Sequence, residues 1–436
     1  MIYGGDGLAR LPADEHGRGK AAFVPFVLAG EKVEATITEQ KPGFARARAE
    51  SIIEPSPHRI QPACQYFSSC GGCHYQQGGY EHQLEIKKQI LVETLRRTAK
   101  LELAVDVRVH PSPPWNYRNR SRLQVQTDPV FRAGYFRMAS HELLGIEECP
   151  ISSPLINKGI AKLWQKGREG RAPRGIREVG FFANADDSKM LIEISTASDA
   201  KRATLREWAE EFAASMPEIA GVVVFRETTE GFAKTPEKLV TVGADHLNYQ
   251  TEKSSYRVSA GSFFQTNRYL TDELVKIVTE GQSGELAIDL YAGVGLFSTA
   301  LCDIRHIFSV ESSQTSSADL SYNLSSNGVA VQATTEQYLA GVEKTGRFGK
   351  GVVLPHTFNK PDLAVVDPPR VGLGERVARM LTTLGAPRVI YVSCDPVTLA
   401  RDLVILRGSG YRIEQMHLVD LFPQTYHLET VVHLAR

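Results

Sequence analysis

Between residues 286 and 434 the chain repeats one pattern. Short apolar runs at 286–291, 307–311, 363–367, 389–393 and 431–434 each border a polar, glycine or proline turn. Runs that are apolar on consecutive residues suit strands buried on both faces. Parallel strands need a crossover between them, usually a helix, and the intervals leave room for one. The rhythm predicts an α/β unit over residues 261–436, an open and mostly parallel sheet with helices on both faces. Such sheets bind ligands at the carboxyl ends of their strands, so the residues at those ends carry the chemistry.

The first end reads Asp289-Leu290-Tyr291-Ala292-Gly293-Val294-Gly295, leading into a helix expected from about Gly295. Gly293 and Gly295 let a ligand approach the backbone, and a helix N-terminus offers free N–H groups. Glu311 ends the next run, 22 residues after Asp289, where a carboxylate accepts hydrogen bonds from ribose hydroxyls. By itself this motif fits a dinucleotide, S-adenosylmethionine or a tight strand–helix turn. Val365-Val366-Asp367-Pro368-Pro369-Arg370 then builds a stiff ledge at the same edge, and Tyr391-Val392-Ser393-Cys394-Asp395-Pro396 builds a second. A free cysteine is most often a small buried hydrophobe, but a strand end before Asp-Pro exposes the Cys394 thiol. His427-Leu428-Glu429-Thr430 precedes the final run, and alone Glu429 would pass for an ordinary surface acid.

The front of the chain is different. Residues 1–56 contain strand-like stretches at 23–27 and 31–37 between glycine and proline turns, the pattern of a small β-barrel of oligonucleotide-binding type. Residues 57–260 open on Cys64, Cys70 and Cys73, followed much later by Cys149; Cys302 and Cys394 complete the six cysteines. Gly71 and Gly72 let the chain fold tightly enough for neighbouring sulfurs to face one centre. Four thiolates can hold zinc or an iron–sulfur cluster, and a three-plus-one spacing suits a cubane better than zinc, which favours two paired Cys-x2-Cys sets. A helix is expected at 80–99 and strands at 121–127 and 190–195. Lys158, Lys162, Lys166, Arg168, Arg171, Arg174 and Arg177 form a basic run in which Glu169 is the one acid named by the sequence. A charge run is most simply a solvated face; the functional alternative is a phosphate-facing stripe. Tyr117, Phe131, Tyr135 and Phe136 lie among arginines, where rings can stack on bases or simply fill core.

With 50 basic and 50 acidic residues the chain is not a globally basic binder, though a local basic face is compatible with that balance. No run approaches the length of a membrane span, and the N-terminal residues carry no signal pattern, so a cytoplasmic location is expected.

Taken together, these motifs resemble the RNA uracil-5 methyltransferase family, S-adenosylmethionine-dependent enzymes that make 5-methyluridine, and in particular the 23S rRNA type with a TRAM domain and a 4Fe–4S cluster. The likeness covers nearly the whole chain. It implies a Rossmann-like methyltransferase domain over 261–436, a TRAM-like β-barrel over 1–56, and a mixed α+β iron–sulfur and RNA-binding domain over 57–260. Residues 80–110 would pack on the methyltransferase domain. Within Gly261-Ser262-Phe263-Phe264-Gln265-Thr266-Asn267, Gln265 would contact the cofactor with Tyr291, Gly293, Gly295, Glu311 and Asp367. Cys64, Cys70, Cys73 and Cys149 would hold the cluster. Cys394 would be the nucleophile and Glu429 the base. The implied partner is RNA, ribosomal before transfer RNA, with no obligate protein partner. Two positions depart from the family pattern: Leu296 where rRNA-type members often carry Asn, and Thr334 where an Asp is expected near the adenine. The rival readings are an exocyclic-amine methyltransferase, suggested by Asp-Pro-Pro, and a non-enzymatic RNA-binding or redox-sensing protein.

Overall fold

A computed structural model describes the chain apart from residues 12–18, 198–199, 231–232 and 349–359. Its largest sheet has eight strands in the spatial order Gly328–Gln332, Ile304–Glu311, Gly284–Leu290, Leu363–Val366, Arg388–Ser393, Glu429–Ala435, Arg412–Val419 and Val107–His110. The first five run parallel, and Glu429–Ala435 lies antiparallel to both of its neighbours. Counted along the C-terminal chain the order is 3-2-1-4-5-7-6, with Val107–His110 added at the far edge. The order reverses between Gly284–Leu290 and Leu363–Val366, and that switch point is where a crevice opens.

Alternation along these strands fills both faces. Leu286, Ile288 and Leu290 enter one core with Ala364 and Val366, while Ala287, Leu363 and Val365 enter the other. The first face is covered by the helix Pro396–Gly408 and by Tyr80–Thr98, whose Ile90, Leu91 and Leu95 pack with Leu399, Leu403 and Leu406. The second is covered by Thr271–Thr279 and by the hairpin His246–Gln250 with Ser255–Ser259. Chain from before residue 261 therefore contributes to both sides of the C-terminal unit.

The helix Tyr80–Thr98 is pinned by a pair that its sequence conceals. Lys87 is fully buried, and its Nζ lies 2.6 Å from an equally buried Asp420 carboxylate and 2.9 Å from the Phe422 carbonyl oxygen. Tyr80 donates to the other Asp420 oxygen at 2.9 Å. Two charges withdrawn from water are tolerated when every remaining lone pair and proton finds a partner in this way. The segment fixed by these bonds, 420–424, leads directly to Glu429.

A seven-stranded sheet holds the middle of the chain, in the order Ala233–Gly243, Ile219–Glu230, Met190–Thr196, Ile176–Ala183, Arg120–Gln126, Arg132–Phe136 and Leu143–Gly145. The helices Pro154–Arg168 and Arg202–Ala214 bury Leu163, Trp164, Leu205 and Phe212 in the same core as its strands. At the N-terminus Gly7–Arg10, Ala21–Val24, Phe44–Glu54 and Lys32–Gln40 form a four-stranded sheet around Val24, Val27 and Ala47. Among the described residues, no helix is long and apolar enough to cross a membrane.

One expected element is replaced. The chain after Gly295 makes only the short 3-10 turn Ser298–Ala300. Leu296, Phe297, Ala300 and Leu301 all bury against the sheet, and Ile304 already begins the next strand. A regular helix would turn some of these side chains outward, so burial overrides the helical pattern.

Candidate active site

The carboxyl ends of the central strands surround a cavity of about 790 Å³. Gln265, Tyr291, Gly293, Glu311 and Asp367 line it, and Cys394 and Glu429 share the same space. Gly295 is not among the lining residues. It has φ +94°, and a Cβ there would stand 2.9 Å from the Leu320 side chain, so its glycine serves close packing behind the turn.

Local chemistry explains each placement. Tyr291 takes a left-handed φ of 64° as the chain leaves its strand. Glu311 accepts hydrogen bonds from the Gly293 N–H at 3.0 Å and the Ser313 N–H at 2.6 Å, which stitches the two strand ends together. The 261–267 segment is held by a buried Asp319, which accepts from Ser262 Oγ at 2.7 Å and from the Ser259 N–H at 2.8 Å. Its far end is fixed by buried Asn267, which donates to Ser112 Oγ and to the Leu421 carbonyl oxygen. Thr334 caps the helix Thr335–Thr345 in a reciprocal box with Gln337 and lines the cavity, while Leu296 is core.

The nucleophile candidate sits between its strand and the helix Pro396–Gly408. Asp395 is that helix's N-cap: its Oδ1 accepts from the Val397 and Thr398 N–H groups, both at 2.9 Å. Its Oδ2 accepts from the Tyr3 hydroxyl at 3.1 Å. Asp395 is thereby spent on the cap and on the N-terminal segment, not on the neighbouring sulfur.

The electrostatics are those of crowded acids. Burial pushes the Cys394 thiol up to about 12, reinforced by the Glu429 and Asp367 carboxyls and opposed by Arg370. Burial, then Asp367, raises Glu429 well above the ordinary carboxylate range. Asp367 is pushed up to about 7 by burial and by Asp289. Asp289, also at about 7 through burial, accepts from the Ser298 hydroxyl on one oxygen and leaves the other, Oδ1, buried without a partner. Burial and mutual repulsion thus favour the protonated forms of these acids and of the thiol.

Two residues escaped the sequence reading although both stand inside quoted motifs. Arg370 follows Asp-Pro-Pro, and His427 opens His-Leu-Glu-Thr. They face each other across the cavity mouth with Nη2 3.3 Å from Nδ1. Burial and the Arg370 charge push His427 down to about 3, so it stands neutral as an acceptor.

Cys64, Cys70, Cys73 and Cys149 line a separate cavity of about 570 Å³. Burial raises the Cys70 thiol to about 11 and the Cys73 thiol to about 12, with Cys149 adding to both. Among the described residues, no group of three or more His, Cys, Asp or Glu side chains is set to hold a metal ion. The loop is tied to the segment that precedes His427. The His74 and Tyr75 N–H groups donate to the Gln424 carbonyl oxygen at 2.8 and 3.0 Å, and the His74 ring packs edge-on against Tyr426.

The basic run is largely neutralised by acids from elsewhere in the fold. Lys166 and Arg171 reach Glu211, Lys158 reaches Glu218 and Arg168 reaches Glu147. That pairing favours the solvated-face reading. Two of the proposed base platforms are structural: Tyr117 is fully buried with its hydroxyl on the Pro423 carbonyl oxygen, and Phe131 packs edge-on against Trp164.

Comparison with known proteins follows this geometry. The model of the tRNA (uracil-5-)-methyltransferase family matches residues 79–436, and that of the TRAM domain matches residues 3–49. An uncharacterized RNA methyltransferase of Aquifex aeolicus is 30% identical over all of this chain and 96% of its own length. One from Streptomyces avermitilis is 31% identical with the same coverage. Among solved structures, the Pyrococcus abyssi tRNA (uracil-54, C5)-methyltransferase in complex with S-adenosyl-L-homocysteine superposes with a TM-score of 0.74 over 99% of both chains, at 23% identity.

Proposed function

The chain belongs to the tRNA (uracil-5-)-methyltransferase family and is an RNA uracil-5 methyltransferase; from that premise we propose that it methylates a uridine of 23S rRNA through a covalent bond between Cys394 and the base. The observation that carries this reading is the meeting of Cys394, Glu429 and Asp367 on one cavity with the strand-end residues Gln265, Gly293 and Glu311. The methyl donor, S-adenosylmethionine, supplies a methyl group on a positively charged sulfur. In this reading Glu311 would accept from its ribose, and the glycine turn at 291–293 would let it approach the backbone.

Carbon-5 of uracil is a weak nucleophile, and the chain's residues divide the work of activating it. Cys394 gives its proton to solvent as the base enters, and the thiolate bonds to carbon-6, which pushes the ring electrons toward the oxygen on carbon-4. Carbon-5 then takes the methyl group. Glu429, as carboxylate, removes the hydrogen left on carbon-5, and the Cys394–carbon-6 bond breaks to return the thiolate. The target base must leave its stack to reach the cavity, which favours a structured single-stranded region over a duplex.

Ribosomal RNA as substrate rests on the resemblance of the TRAM and four-cysteine segments to the rRNA-type enzymes. Nucleoside mapping of rRNA and tRNA from cells lacking the gene tests it. 5-Methyluridine should vanish from 23S rRNA at one or two positions and return on complementation. Loss from tRNA alone would transfer the activity to that substrate.

The same reading assigns a 4Fe–4S cluster to Cys64, Cys70, Cys73 and Cys149. What supports this reading is that the four cysteines line one cavity, where the burial that disfavours bare thiolates would be offset by a bound metal. The cluster would cross-link the Cys64–Cys73 loop to the Cys149 turn; methyl transfer itself needs no redox step. Anaerobically purified protein should carry about four irons and four sulfides per chain, and Cys73→Ser should lose them. Stoichiometric zinc without iron would exclude the assignment.

A further inference from the structure

The turn that precedes the strand Gly7–Arg10 packs against both loops that carry the candidate chemistry. The half-buried Tyr3 donates its hydroxyl proton to Asp395 Oδ2 at 3.1 Å, one residue past Cys394. Its ring meets the Tyr426 ring edge-on with centroids 5.5 Å apart, and the Tyr426 and His427 centroids lie 4.3 Å apart. Tyr3 and Tyr426 also pack on the core that holds Leu399 and Leu403 of the helix Pro396–Gly408. Gly5 is buried against the residue after Cys73: a Cβ there would stand 3.1 Å from the His74 Cβ. One side chain of the N-terminal unit thus touches the loop after Cys394 and the segment leading to Glu429.

Asp395 adjoins the thiol, and its two oxygens have different partners. Oδ1 is occupied by the Val397 and Thr398 N–H groups of the helix cap. Oδ2 is the oxygen whose charge the cap does not screen, and the Tyr3 hydroxyl takes it. Around Cys394 the Glu429 and Asp367 carboxyls already oppose a thiolate, and Arg370 favours one. An unscreened carboxylate on the adjoining residue adds to the opposition. Burial, then the Asp395 charge, pushes the Tyr3 hydroxyl well above its ordinary range, so it stays a donor. We propose that Tyr3 is a positioning residue for the nucleophile: it holds Asp395 Oδ2 and braces Tyr426, so that the Cys394 loop keeps its place and its thiolate forms without the Asp395 charge turned on it. The N-terminal unit then acts on the chemical step itself, beyond any part it has in holding RNA. The inference rests on the reading of Cys394 as the nucleophile.

Tyr3→Phe in the full-length protein keeps the ring and removes the bond. With saturating S-adenosylmethionine and an excess of enzyme over an RNA transcript that the parent methylates, single-turnover methyl transfer should slow by about tenfold, the scale of one hydrogen bond to a charged group. RNA and donor affinities should stay as in the parent, which also reports an intact fold. Alkylation of Cys394 by iodoacetamide at about pH 8, followed peptide by peptide by mass spectrometry, should slow by a similar factor because fewer thiols are ionised. Asp395→Asn keeps an acceptor for the helix cap and removes the charge, so on that background Tyr3→Phe should slow neither rate further. Parent rates of transfer and alkylation in Tyr3→Phe would overturn the inference. So would weaker RNA binding with an unchanged rate at saturation, which would make Tyr3 an RNA contact, and so would an equal loss with and without the Asp395 charge, which would make it packing alone. Methylation of carbon-5 by Cys394→Ala would instead remove the nucleophile reading, and this inference with it.

Discussion

Replacing Cys394 with alanine is expected to reduce methylation of RNA by more than about 10,000-fold, because the substitution removes the group that makes carbon-5 reactive. Without a bond to carbon-6 the uracil ring keeps its conjugation, and the methyl donor meets a carbon that will not attack it. The fold should survive: Cys394 is half-buried at a strand end, while the helix that follows is capped by Asp395 and begun by Pro396. Circular dichroism and calorimetric donor binding by the variant separate loss of chemistry from loss of structure. Radiolabelled methyl transfer to an RNA transcript measures the activity itself. An alanine variant that still methylates carbon-5 at a rate near the parent's would remove the covalent scheme.

Glu429→Gln should fail differently. The thiol and the ledge at Asp367 remain, so attack and methyl transfer proceed, but the hydrogen on carbon-5 has no base. Turnover should fall by about 100- to 10,000-fold, the range typical for loss of a general base. The methylated enzyme–RNA adduct should accumulate and survive denaturing electrophoresis, carrying label from the donor's methyl group. The parent's pH–rate profile should show an acid limb, since burial and Asp367 hold the Glu429 carboxyl well above the ordinary range and only its ionised form accepts the proton. The part of the limb that belongs to Glu429 should be lost in the glutamine variant, leaving only the contribution of the remaining titrating groups. Turnover at the parent rate would reject Glu429 as the base.

The C-terminal sheet was readable because its strands are apolar on both faces and end in unusual residues. Asp-Pro-Pro and Cys-Asp-Pro carry local information about where a strand stops, and that stop is the site. Lys87 was not readable. On its helix it looks like one more basic residue beside Lys88, and only the chain's return at Asp420 makes it a buried ion pair. The partners of the basic run were hidden for the same reason: Glu147, Glu211 and Glu218 are distant in sequence and close in space. Val107–His110 is too short to stand out, and it becomes a strand by pairing with Arg412–Val419. The 3-10 turn after Gly295 shows tertiary burial overruling a local pattern. Arg370 and His427 were in view within their motifs, but their meeting depends on the strands Leu363–Val366 and Glu429–Ala435 flanking Arg388–Ser393 in the folded sheet.

The claim on which everything else depends is that carbon-5 of a uridine is the methylated atom. Release of tritium from RNA carrying uridine labelled at carbon-5 tests it most directly, because the hydrogen on that carbon must leave when the methyl group stays. The account predicts release to solvent that requires S-adenosylmethionine, keeps pace with methyl incorporation at about one tritium per methyl group, and is absent with Cys394→Ala. Methyl incorporation with the tritium retained in the RNA would place the new methyl on another atom and contradict the account.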